Sequence, residues 1–280
     1  MPDRGATLHH PFSPERFLPY LTTTDVATLD KDEAAVILPL ASIEQHGPHL
    51  PLVTDSLIGE MLIAQALELV DPDIDLWVLP PLRYGKSNEH GRFPGTITLS
   101  AATLAATIHD IADSVHASGF RRLILANGHG GNPGVLENVA RDVREKTGLI
   151  VFPLTIFRLN LSYPSLGEAE DEWGIHAGML ETSLLLELAP ELVHNDRTSG
   201  LATYPHYPKA VEHLELRGEV TYAWLAEDIS RAGNMGDPGR ANVELGGEIR
   251  SLIVPRLAEV LAEMATFEMP VPGDSGEVAP

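Results

Sequence analysis

The sequence predicts a single α/β domain of three layers, α/β/α, with a mainly parallel sheet between two layers of helices. Two observations predict it. Apolar runs short enough to be strands alternate with segments of helical periodicity, the pattern that strand–helix–strand crossovers leave in a sequence. In addition, the runs Ala34–Leu40 and Arg122–Ala126 each lead into a polar turn that carries histidine. That is where α/β sheets hold ligands, beyond the carboxyl ends of their strands.

The elements follow in order. Ala34–Leu40 is almost wholly apolar and reads as a strand buried on both faces. Ser56–Val70 has a helical pattern, and the next strand, Leu76–Leu79, lies within Asp75–Leu82. Ala101–Ser118 reads as helix, Arg122–Ala126 as strand, Val135–Lys146 as helix and Leu149–Ile156 as strand. Leu184–Leu188 continues a helix that stops at Ala189-Pro190, because a proline just past a periodic run ends it. The last helix covers about Asn242–Ala265. No internal repeat or low-complexity linker divides the chain, so 1–268 reads as one domain. Met269–Pro280 is rich in proline and glycine and reads as a mobile tail.

Composition narrows the function. The chain has 280 residues and 44% hydrophobic content, enough for one large core. Its net charge is −21, from 19 basic and 40 acidic residues. That balance opposes nucleic acid and anionic membranes, whose phosphates require lysine and arginine. There is no cysteine, so neither disulfides nor thiolate metal ligands are available. The first residues, MPDRGATLHH, lack an apolar signal core, and no run is long enough to span a bilayer. A cytoplasmic protein is expected. His9-His10 reads as a solvated terminus rather than a metal site.

Three motifs carry chemistry. In the first, Ser42 to Asp55, Glu44 and His46 are two residues apart, and in extended chain such residues share one side. With Asp55 they make an oxygen and nitrogen set suited to a zinc-like or iron-like ion. Taken alone, Glu44-x-His46 reads more readily as a polar loop with local hydrogen bonds. In the second, Asn127-Gly128-His129-Gly130-Gly131-Asn132-Pro133 links a strand to a helix. A plain turn or a phosphate loop are its other readings, but no Gly-Lys-Ser/Thr follows and Pro133 stands where a third glycine belongs. In the third, His176-Ala177-Gly178-Met179-Leu180-Glu181 opens a helix. Residues five apart are not on one helix face, so His176 and Glu181 meet only if His176 lies outside the helix. Taken alone, Glu181 reads better as an acid that complements the helix dipole.

Together with YGKSNEHGRFPGTITLS and GNMGDPGRANVELGGE, these motifs resemble the creatininase (creatinine amidohydrolase) family, in the family's order over roughly residues 36 to 250. The resemblance implies an α/β fold and a metal-dependent hydrolase that usually holds two divalent ions. It implies Glu44, His46, Asp55 and His129 as metal ligands, with Asp55 bridging, and His176 as the proton-transfer residue. One or two ions per subunit (zinc, iron or manganese) are expected, with a homo-oligomer, often a hexamer. The resemblance also makes the loop with His90 part of the active site, with His90 near the substrate or a subunit boundary, whereas periodicity alone makes it surface. Trp224 reads as pocket lining or as core, and Asp237 as a turn or cap acid.

The chain departs from creatininase itself at one place. After the histidine of the asparagine-glycine-histidine motif, creatininase has a tyrosine and a metal-binding glutamate; here stand Gly130 and Gly131. The second ion therefore lacks a ligand: either Glu181 supplies it, with a catalytic part beside His176, or the second ion is weak or absent. The glycine pair is typical of relatives that do not act on creatinine, including formamide deformylases and the peptidase of mycofactocin maturation. The expected reaction is hydrolysis of a C–N bond in a cyclic amide, formamide or small peptide, by metal-activated water, with His176 protonating the departing nitrogen. A non-catalytic scaffold with structural ions is the competing class. Ligands drawn from separate loops beside a free histidine suit an open, catalytic centre better.

Overall fold

The computed structural model describes residues 11–204, 213–216 and 220–270. His9-His10 and all of the tail beyond 270 lie outside the described residues. In chain order the elements are α1 (Thr23–Thr28), β1 (Ala35–Leu40), α2 (Thr54–Leu69), β2 (Leu76–Val78), α3 (Ala101–Ala117), β3 (Arg122–Asn127), α4 (Pro133–Thr147) and β4 (Ile150–Thr155). Then follow α5 (Glu168–Trp173), α6 (Met179–Leu188), the short strands β5 (Leu214–Glu215) and β6 (Val220–Thr221), α7 (Ala226–Ile229) and α8 (Val243–Thr266).

β1 to β4 form one parallel sheet in the order β2-β1-β3-β4. Ala35 to Leu40 pair with Arg122 to Asn127, and these in turn with Ile150 to Thr155. β1 and β3 are buried along their whole length. Period-2 alternation sends their side chains to opposite faces. Ile37, Ile124 and Ala126 join the core beneath α2, α6 and α8. Val36, Leu38, Leu123 and Leu125 join the core beneath α3 and α4. This is the three-layer arrangement that the alternating pattern predicts. Pro39 sits in a central strand, an unusual place for a residue without an amide hydrogen. It fits because β2 has ended at Val78 and no ladder bond is needed on that side; the Pro39 carbonyl still accepts from Leu82 N at 2.9 Å.

Local chemistry sets the ends of the helices. Ser100 Oγ accepts from Thr103 N at 3.0 Å to start α3, and Asn242 Oδ1 accepts from Leu245 N at 2.9 Å to start α8. Gly148, at φ 80°, ends α4 in the left-handed conformation that glycine adopts without strain. α2 begins two residues before the expected Ser56, with Thr54 Oγ1 donating to the Pro51 carbonyl at 2.7 Å. Asp55 is therefore a first-turn helical residue and not a loop residue. Among the described residues no helix is long and apolar enough to cross a membrane.

Chain order in the sheet reverses between β1 and β3. From β1 the chain moves outward to β2, then returns across to β3 and β4. The crevice outside the carboxyl ends of β1 and β3 is thus a topological switch point, where open α/β sheets bind ligands. Both histidine-bearing turns emerge there.

Candidate metal centre

Five of the residues named from the sequence meet at this crevice with their polar atoms facing one another. Glu44 and His46 come from the irregular chain after β1, Asp55 from the first turn of α2, His129 from the turn after β3, and His176 from just before α6. All five are buried. Glu181, the sixth, lies in the first turn of α6 and is partly exposed. His176 does lie outside the helix, as the five-residue spacing requires. Its backbone pairs with Met235, which holds it in extended chain beside the centre.

Asp55 stands at the middle. Its Oδ1 lies 3.0 Å from His46 Nε2 and its Oδ2 lies 2.8 Å from His129 Nδ1. Ser42 Oγ donates to Oδ2 at 2.6 Å. Asp55 also faces the positive end of α2. Glu44 Oε2 lies 3.3 Å from His129 Nδ1 and accepts from Ser87 Oγ, while its Oε1 lies 3.5 Å from His176 Nδ1. Glu181 Oε2 is 4.0 Å from His46 Nε2 and accepts from the Ala177 amide.

The hydrogen bonds fix two tautomers. His46 Nδ1 is 3.1 Å from the Glu44 carbonyl oxygen, which only accepts, so Nδ1 carries a proton and Nε2, paired with Asp55, is the nitrogen that would give up its own to a cation. His129 Nε2 is 2.9 Å from the Lys86 carbonyl by the same logic, leaving Nδ1 for the centre. Backbone carbonyls thus orient both rings, as partners behind metal-binding histidines do. The sequence could not name these partners, because neither carbonyl belongs to a recognisable motif.

Whether these residues suit a divalent cation can be judged from their chemistry. Three sets of donor atoms lie mutually within 4.8 Å: Glu44 with Asp55 and His129, His46 with Asp55 and Glu181, and Glu44 with His46 and His176. The first two share Asp55. Burial alone would lower the basicity of His46 and His129, yet the carboxylates beside them raise both to about 10. Burial pushes the Glu44 carboxyl upward. Asp55 stays well below the usual carboxylate range, because the facing histidines outweigh its desolvation. A dry pocket that draws in protons this strongly is one that a cation can neutralise. The oxygen and imidazole donors, with no thiolate, suit such an ion.

Other side chains surround these donors. Burial and the charge of His46 hold His176 well below the ordinary histidine range, and burial with His46 and His129 lowers His90 to about 3. His90, left open between active site and surface, is buried and stacks on His176 at 4.1 Å between ring centroids. The partly buried Trp224 meets His90 edge-on at 6.5 Å, so it borders the site. Asp237 caps a short helical turn by accepting from Gly239 N at 3.1 Å. Ser42, Gln45 and Ser87 were not singled out; their only signal is their place inside the motifs. Gly131 has no room for a side chain. A Cβ there would meet the Lys86 carbonyl, the Glu89 carboxylate and, at 2.5 Å, His129 Nε2. A cavity of about 460 Å³ near Arg121, Arg122 and Arg144 lies at the other end of the sheet, where Arg122 is already held by Glu268 and two carbonyls.

Fold and donor set together define an α/β protein with a histidine–carboxylate centre of the type that holds divalent cations. The profile of the family described as Creatininase: Creatinine amidohydrolase matches residues 19–261. The mycofactocin precursor peptide peptidase of Mycobacterium ulcerans is 32% identical over 234 residues, covering 82% of this chain and 85% of that protein. The creatinine amidohydrolase of Pseudomonas putida is 33% identical over 196 residues, covering 62% and 73%. A solved creatinine amidohydrolase (creatininase) superposes with a TM-score of 0.70 at 25% identity, covering 90% of this chain and 99% of that one. Solved creatininases include a manganese form and a zinc form. This chain belongs to the creatininase family. It is a hydrolase acting on carbon–nitrogen bonds.

Proposed function

We propose that the chain is a metal-dependent amidohydrolase that cleaves an amide bond of a short peptide or small amide at a two-ion centre built on Asp55. One observation carries this: the two carboxylate oxygens of Asp55 face two different histidines, each within its own set of donors. Glu44, Asp55 and His129 would hold one ion; His46, Asp55 and Glu181 the other. Glu181 would stand in for the glutamate that Gly131 lacks. Bound there, the ions would polarise the amide carbonyl and lower the pKa of water toward ~7. A peptide substrate is favoured by the peptidase name of relatives that cover over four fifths of this chain. Creatinine is disfavoured by the Gly130-Gly131 pair.

The chain's own part in the reaction centres on His176. Its Nε2 lies 2.7 Å from the Gln45 carbonyl, so Nε2 carries the proton and Nδ1 presents a lone pair to the centre. Neutral at rest, the ring first accepts. It takes the proton of the attacking water on Nδ1 as the new C–O bond forms, then gives that proton to the departing nitrogen as the C–N bond breaks. The products are a carboxylic acid and an amine. This reading keeps His176 as the proton-transfer residue expected from the sequence and adds acceptance from water to its donation to the nitrogen.

The test is metal analysis together with turnover of a panel of short peptides, formamides and creatinine, on the wild type and His176→Ala. His176→Ala is expected to keep its metal and lose ~10²–10⁴-fold in rate. Loss of metal from that variant would move His176 among the ligands. A wild type that binds no divalent ion and cleaves nothing would contradict the proposal.

A further inference from the structure

We propose that His90 is a second catalytic histidine, one that donates a hydrogen bond from Nε2 to the carbonyl oxygen of the scissile amide. This rests on the amidohydrolase reading above and assigns a residue to its electrophilic side.

The inference starts from Gln45. Its amide orientation is fixed by two backbone groups: Oε1 accepts from Gly47 N at 2.9 Å, and Nε2 donates to the Gly233 carbonyl at 2.9 Å. Gly233 presents that carbonyl at φ 94°, and a Cβ there would collide with the Gln45 amide. Nε2 has one proton left and two ring nitrogens within reach, His90 Nδ1 at 2.8 Å and His176 Nε2 at 3.0 Å. His176 Nε2 already carries a proton, donated to the Gln45 carbonyl at 2.7 Å. The second amide proton therefore goes to His90 Nδ1, which must accept. A neutral imidazole that accepts at Nδ1 carries its proton on Nε2. One glutamine thus sets both rings: His176 offers the centre a lone pair, and His90 offers it an N–H.

Placement agrees with this. His90 is buried and its Nε2 lies 3.6 Å from Glu44 Oε1, too long for a hydrogen bond. His176 Nδ1 stands 3.5 Å from the same oxygen. A donor and an acceptor of opposite character therefore converge beside one oxygen of the centre. His90 stacks on His176 at 4.1 Å between centroids, His46 meets the same ring tilted at 4.3 Å, and Trp224 borders His90 edge-on. Glu44 Oε1 is thus no hydrogen-bond partner for this N–H in the resting centre. The amide oxygen of a substrate can be one, as it gains charge during attack.

The competing role is positional, with His90 only steering Glu44. Kinetics and metal content of His90→Ala and His90→Gln separate the two, since glutamine can place an N–H near the lost Nε2. With donation, His90→Ala keeps its metal and loses ~10²–10³-fold in kcat at little changed KM, and His90→Gln recovers at least about tenfold. Loss of metal from His90→Ala, or an unchanged kcat, overturns the proposal. Long-range ¹H–¹⁵N spectra of histidine-labelled wild type, assigned by comparison with His90→Gln, test the donor without turnover. A proton on Nε2 is expected, and one on Nδ1 overturns it. Absence of metal and of turnover in the wild type itself would instead strike the amidohydrolase reading, and the spectra would still judge the donor.

Discussion

His46 and His129 face Asp55 through opposite ring nitrogens, Nε2 and Nδ1. The difference follows from which backbone carbonyl lies behind each ring, Glu44 or Lys86. Glu181 is the residue with most at stake at this scale. It accepts the Ala177 amide just outside α6, which is the dipole role, and it also lies with His46 and Asp55, which is the ligand role. Glu181→Gln separates them. With the ligand role, one ion per chain weakens and activity falls by ~10-fold or more. With the dipole role alone, metal stoichiometry holds and only thermal stability shifts, by ~0.3–1 kcal/mol. The ligand outcome is expected, read by metal analysis of the purified variant.

At the scale of elements, the centre depends on how β1, β3 and the Lys86–Glu89 stretch close on one another. Gly131 makes that closure possible, since the Lys86 carbonyl and the Glu89 carboxylate occupy the space of a side chain. Gly131→Ala is expected to push this stretch away, free His129 Nε2 from its carbonyl and weaken metal binding by ~10-fold or more. Titration of the variant with zinc checks this, and wild-type affinity would refute it. The elements themselves were legible in the sequence. β1 and β3 are apolar runs buried on both faces, and their turns carry the Glu44-x-His46 and His129 motifs. What was not legible came from contacts between distant segments. Gln45 reaches Gly233 and His90 at sequence separations of 188 and 45, and no local pattern encodes that. Asp55 was read as loop because α2 starts without a side-chain cap, the usual signal of a helix start. Glu44 and His46 do share a side, but in irregular chain rather than the extended segment expected.

The whole molecule is strongly acidic, with a net charge of −21, and the centre concentrates that character in a dry place. Its pH dependence follows. His46 and His129 are raised from an ordinary 6.5 to about 10 in the folded chain without metal. Their protonated pairing with the carboxylates stabilises the fold fully below about 6.5. That contribution is lost as pH rises toward 10. A divalent ion must displace those protons, so its affinity is expected to rise with pH across 7 to 9, with proton release on binding. Calorimetry in two buffers of different ionisation enthalpy measures the released protons. Release of none at pH 7.5 would contradict the electrostatics of this centre.

Asp55 is the residue on which the two-ion centre stands or falls. The direct measurement is the number of divalent ions per chain in the wild type and in Asp55→Asn, after saturation and removal of excess metal, with thermal melts confirming that both are folded. About two ions are expected in the wild type, and neither is expected to remain tightly bound in a folded Asp55→Asn, whose turnover should be lost as well. A folded Asp55→Asn that retains both ions and full activity would contradict a centre built on this carboxylate.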